Sequence, residues 1–437
     1  MKWFVVLAMI AVAQAAEPDW GALETHAVEF FQQYVRIPSI SPPSNTAPCA
    51  RLFEAELKRN GLEPKVYASG PNGQTNLVVR LKGRDASKKP LLLLNHFDVV
   101  PVDPKGWSVD PFGAIIRDGL LWGRGAYDMK GIGTQQLMAL IALHNSGVVP
   151  SRDIIMLSTA DEEMGGVYGI QWMIKNHWDE IASEYVFDEG GMATRDYLVP
   201  GKLVFGVSVG DKVVLWLRLH ARGTAGHGSQ PIPDNVNMTL MQAIEKAMAL
   251  PESGKKNPVV EEMKKTLGRP MAVNKFTSAI ERNTISLTTL TSGVGSPPRV
   301  NVIPSSAEAT LDCRLLPGTN SAEFISEMKA RINDPRVTIE VINNAPDVGM
   351  SPVNTPLFAT IREAVLKYHP DAVVTPMLVP FGTDSAYLQE RGVVAYGFTP
   401  MIVDAATAAT MHSDSERISV DQFKTGLRIF YEILRQQ

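Results

Sequence analysis

Acidic and histidine residues stand at the ends of apolar runs along this chain, and that placement limits the folds open to it. His96-Phe-Asp98 follows Leu91-Leu-Leu-Leu-Asn95, and Asp161-Glu162-Glu163 follows Ile154-Ile-Met-Leu-Ser158. Asp188-Glu189 follows Tyr185-Val-Phe187. Such runs read as strands of a central sheet covered on both faces. Ionisable groups at strand ends are costly to bury unless something charged compensates them. Asp128, closing the glycine-rich stretch Leu121-Trp-Gly-Arg-Gly-Ala-Tyr127, and His412, in a polar loop before the last helical stretch, have the same chemistry. Two divalent cations sharing one carboxylate would compensate the set, and would make a nucleophile from water at neutral pH.

At 437 residues the chain exceeds one ordinary core and suggests two domains. A net charge of −4 gives no basic field for nucleic acid or an anionic membrane. Lys2, the apolar run Trp3 to Ala13 and the small residues Ala13-Gln14-Ala15 read as a signal peptide over residues 1–15. The expected location is a periplasm or the outside of the cell. No other stretch is apolar and long enough to span a bilayer. Cys49 and Cys313 form no disulfide framework, and both read as unpaired structural thiols.

Apolar spacing predicts helices over 23–35, 50–60, 131–145 and 167–176, alternating with strands near 76–81, 90–94 and 153–158. This is a layered α/β pattern. From about Asp211 it changes to strand 212–221, helix 236–250, strands 284–290 and 306–314, helix 321–332 and strand 337–342. That order, β-α-β-β-α-β, is the split arrangement of a ferredoxin-like unit. The expected architecture is a catalytic domain over 16–210 and 346–437, built on a mixed central sheet, with 211–345 inserted as a smaller domain.

Each motif also has a plain structural reading. His96 could be a satisfied core histidine, and Asp128 a helix cap. As a site, His96 would ligate a metal while Asp98 holds the far imidazole nitrogen. Asp128 would give one oxygen to each of two cations. One of Glu162 and Glu163 would bind metal while its neighbour serves as general base. One of Asp188 and Glu189 would ligate. Ligands at the carboxyl edge of an open α/β sheet follow a general rule of such folds.

The order H-x-D, Asp, Glu-Glu, Asp/Glu, His resembles the co-catalytic zinc exopeptidases. That family includes aminoacylase, acetylornithine deacetylase, succinyl-diaminopimelate desuccinylase and the glutamate carboxypeptidases. Asp188-Glu-Gly-Gly191 is most similar to the carboxypeptidase S and N-acyl-amino-acid hydrolase branch. The resemblance implies His96, Asp128, Glu163, Asp188 and His412 as metal ligands, with Asp128 bridging. Asp188 is preferred there over its competitor Glu189. Glu162 is implied as general base and Asp98 as the residue orienting His96. Gly223-Thr-Ala-Gly-His227 resembles the family's lid histidine, which in dimeric members reaches the partner's active site and steadies the oxyanion. Asn301, Arg314 and Gly382 match segments that would bind substrate, with Arg314 a carboxylate clamp.

The expected cofactors are two Zn2+ per subunit, with Mn2+ or Co2+ acceptable to similar donors. The expected substrate is a small peptide or N-acyl amino acid, cleaved next to a C-terminal amino acid. No nucleic acid and no membrane span after leader removal is expected, and a homodimer would form through the lid. The alternatives are a two-zinc aminopeptidase and a non-catalytic exported binding protein on the same fold. A serine hydrolase is disfavoured, because no G-x-S-x-G elbow is present.

Overall fold

Strand Leu91–His96 lies inside a ten-stranded mixed sheet, flanked by Ile154–Thr159 and Tyr185–Asp188. The computed structural model describes residues 17–249 and 256–437; the expected leader, 1–15, lies outside the described residues. Across the sheet the order is Lys65–Ala68, Thr75–Leu81, Ile154–Thr159, Leu91–His96, Tyr185–Asp188, Val394–Gly397, Leu203–Asp211, Met192–Arg195 and Ile402–Val403, with Val373–Val379 also paired to Leu203–Asp211. The strands beginning at Ile154, Leu91, Tyr185 and Val394 run parallel. Their carboxyl ends therefore share one edge. Register aligns His96 with Thr159, and Gly397 with Asp188.

Alternation along the strands divides the packing into two cores. Leu91 and Leu93 point into one, with Phe30, Phe53, Leu137 and Phe430. Leu92 and Leu94 point into the other, with Ile170, Met173 and Ile181. Helix Lys130–Asn145, which has no separate polar face, is buried throughout from Lys130 to Leu143. It packs between the sheet and helices Trp20–Val35 and Val420–Arg435. Two of its polar side chains are anchored from their amide nitrogens: Gln135 donates to the Phe423 carbonyl at 2.8 Å and Gln136 to that of Leu94 at 3.1 Å. The Asp128 loop is thereby fixed to the most deeply buried helix.

A separate four-stranded antiparallel sheet has the order Thr284–Ser292, Ser306–Leu315, Val213–Arg222, Val337–Asn344. Helices Val236–Met248 and Ser321–Ile332 cover one face around Leu215, Leu217, Leu219 and Leu311. This is the β-α-β-β-α-β unit. One segment departs from the sequence expectation. Helices Pro258–Leu267 and Lys275–Ile280 were not foreseen, and they leave the small core. Val260, Met263, Leu267, Phe276 and Ile280 join the large core instead, with Pro258–Leu267 packed on Val373–Val379. The small sheet is thus tied back to the large one midway along its sequence. Cys49 and Cys313 are both buried and free. No helix among the described residues is long and apolar enough to cross a membrane.

Candidate metal centre

His96 ends its strand with Nδ1 3.0 Å from the backbone carbonyl of Asp98. A carbonyl only accepts, so Nδ1 carries a proton and Nε2 is the nitrogen turned to the carboxylates. The Asp98 carboxylate lies 3.7 Å from that nitrogen, outside hydrogen-bond range. The expected side-chain contact is therefore replaced by a backbone one. The carboxylate itself accepts from the N–H groups of Glu162 and Glu163 at 3.1 and 3.3 Å. It ties the acidic turn to the histidine strand.

That turn is sharp. Asp161 has φ 69°, and Gly165 and Gly166 follow in the same left-handed region, which favours glycine. The bend aims neighbouring glutamates at different partners. Glu162 Oε2 is 4.0 Å from His96 Nε2, whereas Glu163 Oε1 is 3.4 Å from His412 Nε2. Asp128 lies between the histidines. Its Oδ1 is 3.3 Å from His96 Nε2 and its Oδ2 3.1 Å from His412 Nε2. It makes no capping bond to helix Lys130–Asn145, so the cap reading fails. His412 is held at φ 60°, a strained backbone for a non-glycine residue.

At the next strand end Glu189, and not the preferred Asp188, is turned toward His96. Glu189 Oε1 is 3.5 Å from His96 Nε2. Both Asp188 oxygens are already used, accepting from the N–H groups of Glu189 and Ser385 at 2.8 Å each. Successive residues at a strand end point to opposite sides, and here Glu189 faces the centre.

His96 Nε2, Asp128 Oδ1 and Glu163 Oε1 are buried without a hydrogen-bond partner. Such orphans are rare unless a water or ion completes them. Donor atoms of His96, Asp128 and Glu163, and of His96, Glu162 and Glu189, lie within 4.8 Å of one another. Two donors bonded to one tetrahedral cation at about 2.0–2.1 Å stand roughly 3.3 Å apart, and the separations of 3.1 to 3.5 Å match. The residues fit a pair of divalent cations.

The charge balance agrees. Burial and the neighbouring Glu189 hold Glu162 well above the usual carboxylate range. Burial and Asp128 do the same to Glu189, and raise Glu163. Burial opposes charge on His412, but Asp128 and Glu163 outweigh it and push the imidazole up to about 11. So much negative charge in so little space holds protons where cations would displace them.

Beside the cluster lies a cavity of about 290 Å³. Asp128, Glu162, Glu163, Glu189 and His412 form its floor. The small sheet supplies Val214, Trp216 and Arg314, and the loop before Asp384 supplies Phe381 and Gly382. A Cβ at Gly382 would come within 2.6 Å of Val214, so glycine lets the two sheets approach. Arg314 lines the cavity while forking onto Asp312 at 2.7 and 3.1 Å. His227 and Asn301 are exposed neighbours, joined through the Gly228 N–H and the Asn301 carbonyl at 2.8 Å, and neither lines the cavity. The sequence reading missed Arg124 and Glu416, a fully buried ion pair behind Asp128. Its signal was an arginine and a glutamate inside otherwise explained motifs.

Imidazoles and carboxylates gathered at the carboxyl edge of a mixed sheet, facing a cleft, define a metallopeptidase-like hydrolase. A profile of peptidase family M20/M25/M40 matches residues 92–436, and the chain belongs to that family. Its fold resembles the M20 metallo-carboxypeptidase Sso-CP2 from Sulfolobus solfataricus, with TM-score 0.74 and 19% identity over 94% of this chain and 98% of that one. In sequence it is 28% identical to a probable carboxypeptidase S-like 2 of Dictyostelium discoideum, over 82% of this chain and 74% of the relative. It is also 28% identical to Aminoacylase-1 of Sus scrofa, over 94% of this chain and 95% of the relative. The protein is a hydrolase of amide bonds.

Proposed function

We propose that this chain cleaves a peptide or N-acyl bond adjacent to a C-terminal amino acid. The observation that carries the reading is Asp128, with one oxygen turned to each histidine. His96, Asp128 and Glu189 would hold one cation, and Asp128, Glu163 and His412 the other. When bound, such a pair, zinc or another divalent ion these donors accept, supplies a low-pKa water and polarises the scissile carbonyl. Glu162 has no other partner and faces the cleft. It takes the proton of the attacking water, then returns it to the departing amine as the C–N bond breaks. Arg314 keeps donors beyond its fork on Asp312 for a substrate carboxylate. A panel of dipeptides, N-acyl amino acids and free amino-terminal peptides should show turnover of the first two groups, abolished by a chelator and restored by zinc. Turnover of amino-terminal peptides alone would instead favour an aminopeptidase.

His227 is assigned to the active site of a second copy. Three observations support a dimer through the small sheet. Thr284–Ser292 is an edge strand with an open ladder. Leu287 and Leu290 on that strand, and Met238 and Met241 on the adjoining helix, are exposed. His227 is also exposed and lies outside its own cavity. Residues 211–345 would then serve as lid and dimerisation unit. Mixing His227→Ala with Glu162→Gln, each nearly inactive alone, should restore activity, because a mixed dimer rebuilds one complete site. A mixture that stays inactive removes the assignment. The reading keeps an exported location, which sequencing the mature N-terminus checks.

A further inference from the structure

Arg124 and Glu416 have no part in the chemistry above, yet they are among the most deeply buried charges in the molecule, at 2% and 0% exposure. Arg124 Nη1 lies 2.6 Å from Glu416 Oε2. The other glutamate oxygen accepts from the backbone N–H groups of Tyr127 and Asp128 at 2.9 and 3.1 Å. Arg124 Nη2 donates to the His412 carbonyl at 3.3 Å. The Gly123 N–H closes the circuit on the Glu416 carbonyl at 3.0 Å.

We infer that Glu416 and Arg124 are a positioning pair that sets Asp128 against His412. The inference rests on the ligand reading proposed above. Stability alone does not explain the pair, since a buried ion pair is often no better than apolar residues of the same volume. Its geometry does. The strands Leu120–Trp122 and Arg417–Ser419 already join the two loops, but that pairing ends short of both donors. The ion pair carries the alignment onward to the Asp128 backbone on one side and the His412 carbonyl on the other. His412 sits in a left-handed conformation that persists only where its surroundings over-determine it. The Arg124 contact to its carbonyl is one such constraint. Charge-assisted bonds suit this work because they are short and strong, and the single bond between the two side chains leaves each a second group for the neighbouring backbone.

The test is zinc titration by calorimetry against a competing chelator, with thermal unfolding of the zinc-free protein alongside. Glu416→Gln should weaken zinc binding about 10–100-fold, the range for residues that orient metal ligands, most strongly at the step that His412 serves. Its activity should be low at limiting zinc and recover when zinc is raised. Should Glu416→Gln leave Arg124 too poorly compensated to fold, the double variant Arg124→Met with Glu416→Gln removes both charges and should show the same selective weakening. A fall in the unfolding temperature with both zinc constants unchanged would make the pair merely structural and overturn the inference. Wild-type protein that binds no zinc pair would instead remove the ligand reading beneath it.

Discussion

Glu162→Gln should lower kcat by roughly 10²- to 10⁴-fold, about 2.7–5.4 kcal/mol, the scale of general acid–base catalysis. The amide keeps the size of the side chain but cannot accept the proton. Metal content and KM should stay near the wild-type values, because the structure spaces Glu162 farther from His96 than either Asp128 or Glu189. Thermal stability of the metal-free protein should hold or rise. Burial and Glu189 disfavour charge on Glu162, and the substitution removes that repulsion. Steady-state kinetics on metal-loaded protein decide the matter. Near-normal turnover with metal bound would move the base elsewhere.

Substitutions at the cluster should separate into three classes by metal content. Asp128→Ala takes away the carboxylate that faces both histidines, so both ions should be lost and activity with them. Glu189→Ala should lose only the ion on the His96 side. Asp188→Asn should keep both, because its oxygens serve backbone N–H groups instead. Its cost should appear as lower stability, about 1–3 kcal/mol for a buried donor left unmatched. In wild type, added zinc should raise the unfolding temperature, as for any ligand that binds the native state alone. Metal analysis after dialysis reads the series. Retention of both ions by Asp128→Ala would dismantle the bridging geometry, and loss of an ion from Asp188→Asn but not Glu189→Ala would restore the original preference.

Much of the centre was legible because strand-end chemistry is a local property. An apolar run of strand length followed by acids and glycines states where a chain surfaces at a sheet edge, and His96, the Asp161-Glu162-Glu163 turn and the Asp188-Glu189 pair are there. The choice between Asp188 and Glu189 was not legible. It turns on the Ser385 N–H, 197 residues away, which occupies one Asp188 oxygen. Asp98 shows the same limit. Its motif foretold a contact to His96, but whether carbonyl or carboxylate makes it depends on the Glu162 and Glu163 N–H groups that claim the side chain. Arg124 and Glu416 are 292 residues apart, and nothing in either neighbourhood points to the other. Helices Pro258–Leu267 and Lys275–Ile280 were missed, and their packing into the large core could not be seen from within the lid-like pattern.

The chain alone determined which residues would arrive at the carboxyl edge, because hydrophobic period and strand termination are set by a few consecutive side chains. The tertiary structure decided which oxygen of which carboxylate faces which imidazole. Those distances follow from strand register and from backbone N–H groups brought in from remote loops.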